Sequence, residues 1–167
     1  MIKVYNNGIL YFNNKKYKCK VGKNGISKDK REGDGCTPEG NFSIGPLYYR
    51  HDRLSKIPTK IKSLPINKNM HWSDDSNSIH YNKLIYFKDN SCESLYREDQ
   101  IYDLLLVIKY NVNPIKKKRG SAIFMHLANE RFSSTKGCIA LKKDCLINIL
   151  KILRPRSKIH IINKEKC

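Results

Sequence analysis

At 167 residues, with 40% hydrophobic and 10% aromatic side chains, the chain can form one domain that buries roughly two-thirds of its unfolded surface. Pro and Gly are too sparse for a fibrous or disordered class. The formal net charge of +18 favours polyanionic partners. Lysines are nonetheless spread along the whole chain, as a Lys-, Asn- and Ile-rich composition from an AT-rich genome would also produce, and Lys116-Lys117-Lys118-Arg119 is the one tight run. No zinc-finger or RNA-motif spacing accompanies them, which argues against a nucleic-acid protein.

In chain order, the first third reads as hairpins. Short β-like runs at Ile2 to Tyr5, Ile9 to Phe12, Tyr17 to Val21 and Phe42 to Tyr49 alternate with turns such as Asn6-Asn7-Gly8. Residues 50 to 80 are polar and irregular, with Pro58, Pro65 and an Asp74-Asp75-Ser76-Asn77 cluster, and read as a long surface excursion. Glu93 to Gln100 suggests a short helix or turn. The apolar centre Leu104-Leu105-Leu106-Val107-Ile108 suits a buried strand, although periodicity alone would allow a helix. Ser121 to His126 is a further strand, and a loop from Asn129 to Lys136 leads to Gly137-Cys138. A helix from about Leu141 to Leu153 follows, with Leu141, Cys145, Ile149 and Ile152 on one face, Asp144 in its first turn and Pro155 as its stop. Ile159 to Ile162 is the last strand. No domain boundary, repeat or low-complexity segment interrupts residues 1–167.

The N-terminus lacks the apolar run of a signal peptide, and no stretch approaches the roughly 18 apolar residues of a membrane span. The sequence is then either already mature or exported by another route. Six cysteines (Cys19, Cys36, Cys92, Cys138, Cys145, Cys167) show neither CxxC pairs nor the density of a disulfide-stapled miniprotein, and read as individual thiols.

Chemistry concentrates in His126-Leu-Ala-Asn-Glu-Arg-Phe-Ser-Ser-Thr135-Lys-Gly-Cys138. A His ending a strand and a Cys reached by a short loop can face each other, which is what thiol catalysis requires: the sulfur attacks while imidazole accepts and returns the proton. Gly137 permits a tight backbone turn, so that amides around Lys136, Gly137 and Cys138 can converge on an oxyanion. Spacing alone leaves a buried structural Cys and His as the plainer reading.

The surrounding words resemble the YkuD-like L,D-transpeptidase catalytic domain, whose signature runs His-(x)n-[Ser/Thr]-x-Gly-Cys. Thr135-Lys136-Gly137-Cys138 matches its second half. Arg31-Glu-Gly-Asp-Gly-Cys-Thr37-Pro38-Glu-Gly40-Asn-Phe42 looks like the family's Thr-Pro-x-Gly-x-Phe turn. Tyr81-Asn82, Glu93-Ser-Leu-Tyr-Arg97-Glu-Asp99, Tyr110-Asn111 and Gly120-Ser-Ala-Ile-Phe-Met-His126 look like a small, single-domain branch of it.

The resemblance implies a mainly β (α+β) fold, compact, curled and β-sandwich-like, with one main helix after the cysteine and a C-terminal strand. It implies Cys138 as nucleophile, His126 as base, the backbone of Leu127 as its orienter, and an oxyanion hole from the backbone of Lys136, Gly137 and Cys138. The substrate would be the peptidoglycan stem peptide, with an amine, including one on an acceptor protein, taking the acyl group. No metal or cofactor is implied, the setting would be the cell envelope or periplasm, and a monomer is expected. An L,D-carboxypeptidase or amidase is the nearest alternative, and a non-catalytic wall-binding or polyanion-binding module the more distant one. The commonest family version reads Ser-His-Gly-Cys-Ile-Arg, whereas this chain has Lys136 in place of that His and Ala140 in place of that Arg. Lys136 or Arg131 could supply the missing cation as a point charge or fork.

Thr135, Arg131, Tyr81 and Trp72 are candidate substrate contacts, with core packing the favoured alternative for the two aromatics. His71, Asp74, Asp75 and His80 could be drawn as a metal cluster, but turn-capping is the plainer role for Asp in such a segment. Cys36 reads as a packed or partly exposed thiol, Cys145 as facing the helix core, and Arg97 with Asp99 as a structural pair.

Overall fold

The computed structural model describes residues 1–55 and 57–164; Cys167 lies outside them. Three hairpin strands open the chain: β1 (Ile2–Tyr5), β2 (Ile9–Phe12) and β3 (Lys15–Lys20). Phe12 pairs with Lys15, so β2 and β3 are joined by Asn13 and Asn14, both at positive φ. This is the turn whose twist matches a two-residue hairpin. Short β4 (Ile26–Ser27) and β5 (Thr37–Pro38) precede the long β6 (Gly40–Tyr49). Next come β7 (Ser63–Pro65), β8 (His71–Ser73), β9 (Leu84–Ile85), β10 (Cys92–Ser94), β11 (Leu104–Ile108), β12 (Phe124–Leu127) and β13 (Ile139–Leu141). The helix α1 (Lys143–Ile152) and β14 (Lys158–Ile162) complete the order.

The main sheet runs β11-β12-β13-β3-β2-β1-β14-β6-β7, and β11 also pairs with β6, so the sheet closes on itself like a barrel. Closure removes the exposed edges that a curled open sheet would leave. β14 inserts between β1, in parallel, and β6, antiparallel. A second sheet, β10-β8-β9, packs against the main one through Trp72, whose ring meets Phe124 edge to face at 5.1 Å.

β11 divides two apolar clusters. Leu104, Leu106 and Ile108 enter the large core with Ile2, Val4, Leu10 and Met125, whereas Leu105 and Val107 enter a smaller one with Trp72, Leu95, Tyr102 and Phe124. The period-2 alternation of a strand therefore explains why its five residues are all apolar: both faces are covered.

Three expectations change. Residues 50–80 are not simply a surface excursion, because Ile66, Met70 and Trp72 are buried in the smaller core. Their apolar residues stand singly among polar ones, which hides the pattern. Of the two readings of Glu93 to Gln100 the helix does not form: Cys92–Ser94 is a strand paired with β8, and residues 95–100 follow mainly as bends. The helix turns a slightly different face inward: Leu146, Ile149 and Leu150 are buried, Ile152 is exposed and Cys145 packs only at the margin of the core.

Candidate active site

β12 and β13 run parallel with His126 opposite Ala140. Residues two apart share a face, so Cys138, immediately before β13, points to the same side as Ala140 and His126. That side carries the smaller core, against which Cys138 packs. The register thus brings His126 and Cys138 to one surface despite the intervening loop.

The loop is pinned from several directions. Thr135 pairs with the segment after β3, its N–H donating to Val21 O at 3.0 Å while Lys23 N–H donates to Thr135 O at 2.8 Å. Lys20 Nζ donates to Asn129 O at 2.8 Å and also to Phe132 O. The Thr135 hydroxyl donates to Cys138 O at 2.6 Å. Gly137 sits at φ 142°, and a Cβ there would lie 2.8 Å from Cys36 O, so only glycine fits. The Thr37-Pro38 word completes the support, since Thr37 Oγ1 accepts from Gly22 N–H at 2.8 Å.

His126 Nδ1 lies 2.9 Å from Leu127 O. A carbonyl only accepts, so Nδ1 carries the proton and Nε2 is the free lone pair. Burial holds the imidazole down at about 4, opposed by that backbone bond. The Cys138 thiol donates to Ala122 O at 3.2 Å and accepts from Phe124 N–H at 3.4 Å. Burial, then the charge of Glu93, pushes it up to about 12. The resting pair is therefore neutral thiol and neutral imidazole, and no hydrogen bond joins the two.

Cys138 stands where two clefts meet. One, of about 450 Å³, is lined by Lys20, Arg97, Tyr102, His126 and Thr135 among others. The second, of about 300 Å³, is lined by Lys30, Glu32, Asp74 and Ser121. Lys23, Glu93, Lys136 and Cys138 border both. Glu93 accepts the Tyr102 hydroxyl at 2.5 Å, and burial raises its carboxyl above the usual range. The Tyr102 ring meets the His126 imidazole edge to face at 5.4 Å.

Other sequence-predicted residues separate. Thr135 and Lys136 border the site, but the Gly137 amide, expected in the oxyanion hole, donates to Thr135 Oγ1 at 3.0 Å. Arg131 is exposed and lines neither cleft. Trp72 and Tyr81 also line neither, because both are buried as packing groups: Trp72 Nε1 donates to Asn82 Oδ1 at 2.9 Å, and the Tyr81 hydroxyl donates to Glu32 at 2.5 Å. Among the described residues no three His, Cys, Asp or Glu side chains gather as metal ligands. Asp74 instead accepts from Ser91 Oγ at 2.5 Å, and Asp75 from Asn77 N–H at 2.9 Å. Arg97 pairs with Asp99 through two hydrogen bonds of 2.8 and 2.6 Å. Cys36 is half-buried and its side chain lines neither cleft. The sequence reading assigned no role to Glu93 or Tyr102, whose distance along the chain from Cys138 gives no spacing signal.

The profile of YkuD, L,D-transpeptidase catalytic domain, matches residues 1–161. The solved helical cell shape determining protein Pgp2 of Campylobacter jejuni superposes with a TM-score of 0.51 at 15% identity, over 99% of this chain and 48% of that one. A mutant of Pgp2 gives 0.50 at 16% identity, over 99% and 47%. The chain therefore spans about half the length of these proteins. No curated protein sequence matches it.

Proposed function

The chain belongs to the YkuD family of L,D-transpeptidase catalytic domains, and on that premise we propose that it is a cysteine-dependent acyltransferase acting on peptidoglycan stem peptides. The observation that carries this reading is the convergence of Cys138 and His126 on one cleft, with Nδ1 held by Leu127 O and Nε2 left as base.

In the reaction, Nε2 takes the Cys138 proton as sulfur attacks the stem carbonyl. The amides of Lys136 and Cys138, which have no partner among the described residues, receive the oxyanion, the Gly137 amide being engaged by Thr135. Collapse breaks the peptide bond, the imidazolium proton passes to the departing amine, and a thioester remains. An acceptor amine attacks the thioester, gives its proton to Nε2, and the proton returns to sulfur. Transfer to a second stem gives a cross-link, and transfer to a protein amine gives an attachment. The site of action is the cell envelope.

Intact-mass spectrometry of wild type and Cys138→Ala with tetrapeptide-stem muropeptides tests the proposal. An adduct confined to wild type, with cross-linked dimers among the products, supports the transpeptidase. Tripeptide alone assigns hydrolysis, and no Cys138-dependent change leaves a wall-binding module.

A further inference from the structure

The thiol proton that His126 is proposed to take points elsewhere in the resting site. Cys138 Sγ donates to Ala122 O at 3.2 Å. Ala122 lines the smaller cleft and not the larger, whereas His126 lines the larger and not the smaller. A carbonyl oxygen accepts a thiol proton but offers nothing to a thiolate, so this contact favours the neutral sulfur. To reach His126 the sulfur has to leave it.

Ala122 does not take up this position by preference. Its φ is 52°, in the left-handed region where an alanine Cβ is crowded. Asn82 holds it there directly. Its side chain is buried at 4% exposure, and Oδ1 accepts the Ala122 N–H at 3.0 Å together with Trp72 Nε1 at 2.9 Å. On the other side Nδ2 donates to Tyr110 O at 3.1 Å and to Asn111 O at 2.7 Å. Two N–H donors facing one end of the amide and two carbonyls facing the other admit a single orientation, and every hydrogen-bonding position of the side chain is used. The group that fixes the Ala122 peptide is therefore itself fixed.

We propose that Asn82 is a positioning residue for the nucleophile: by holding the Ala122 peptide it seats the Cys138 thiol on Ala122 O as a neutral resting group, from which the sulfur turns to His126 for attack. This deepens the acyltransferase reading and rests on it. The seat guards the thiol against small electrophiles while the clefts hold no substrate. Phe124 N–H, 3.4 Å from the sulfur, is a donor from the same segment and stays useful as negative charge develops.

The test uses the full chain without substrate. In the infrared spectrum, subtracting a matching Cys138→Ala background isolates one S–H stretch. It is expected at lower frequency than a free thiol in wild type and at the free-thiol frequency in Asn82→Ala. Alkylation of Cys138 by a neutral reagent near neutral pH, read by peptide mass mapping, should rise about fivefold or more in Asn82→Ala, the size of one hydrogen bond. It should stay at the wild-type rate in Asn82→Asp, which keeps an acceptor for the Ala122 N–H. A merely structural Asn82 would lower the unfolding midpoint in both variants and move neither readout. That result, an equal rise in both variants, or a free S–H stretch in wild type overturns the proposal. Should Asn82→Ala not fold, Ala122→Gly decides, because glycine takes a φ of 52° without strain. With Asn82 intact both readouts then stay as in wild type, and a change in either shows that the Ala122 side chain holds the seat and overturns the role of Asn82. A seated thiol in a protein that forms no thioester with stem peptides leaves the seat standing and removes the catalytic reading.

Discussion

The two faces of β11 meet different kinds of interior. One contributes Leu104, Leu106 and Ile108 to a large, mainly aliphatic core built from the closed sheet and α1. The other contributes Leu105 and Val107 to a smaller cluster that ends in Tyr102 and Cys138, with Glu93 and His126 at its margin. Hydrocarbon packing on the first face is non-directional and shared among many residues. On the second, each polar group depends on a particular partner, and among the described residues no buried side-chain nitrogen or oxygen lacks one. The molecule thus separates the region that holds it together from the region proposed to react.

The sharpest way to break this comparison is to find chemistry and stability moving together. Cys138→Ala should lower acyl transfer by about a thousandfold or more, in line with removal of a nucleophile, while shifting the unfolding midpoint little. Leu106→Ala should do the reverse: about 2–5 kcal/mol of stability lost in denaturant titration, from the cavity left in a tight core, with Cys138 chemistry per folded molecule retained. Gly137→Ala lies between them. Its φ of 142° and the 2.8 Å approach to Cys36 O should cost about 1–3 kcal/mol of strain, displace the neighbouring amides, and lower acylation more than it lowers the melting temperature.

Smaller effects sharpen the same contrast. With the thiol pushed up to about 12, alkylation of Cys138 by a neutral reagent, followed by peptide mass mapping, should keep rising through alkaline pH. A plateau reached below neutrality would instead reveal a thiolate-imidazolium pair. His126 is held near 4 in the fold against 6.5 unperturbed, so the unfolded chain binds more protons between those values. Its contribution to stability is complete above about 6.5 and is lost as pH falls towards about 4. Chemical denaturation across that window should show this loss in wild type and a weaker one in His126→Gln.

Much of the architecture was legible because local chemistry and tertiary role agree. β1 and β2 occur at the expected residues, since alternating apolar side chains and Asn-Gly turns specify a hairpin without reference to distant segments. The juxtaposition of His126 and Cys138 was legible because the proposed pair is built on two neighbouring segments, β12 and the start of β13, joined by one loop. Legibility ended where partners come from far along the chain. Trp72 and Tyr81 were open to a groove or a core role, with core packing favoured; both are buried, and their polar tips are occupied by Asn82 and Glu32, contacts that no local pattern announces. Glu93 was visible only as part of a family-like word. Its position depends on β10 pairing with β8 and on Tyr102 reaching across to it. The helix face was misjudged by a fraction of a turn, because Leu146 and Leu150 complete an equally apolar stripe.

The most direct test of the central claim is to quench wild-type protein during reaction with a tetrapeptide stem and locate the acyl group by peptide mass mapping. The account predicts a hydroxylamine-labile thioester on the Cys138 peptide, absent in Cys138→Ala and formed far more slowly in His126→Gln. A thioester on another cysteine, or acylation of Cys138 at the same rate without His126, would contradict it.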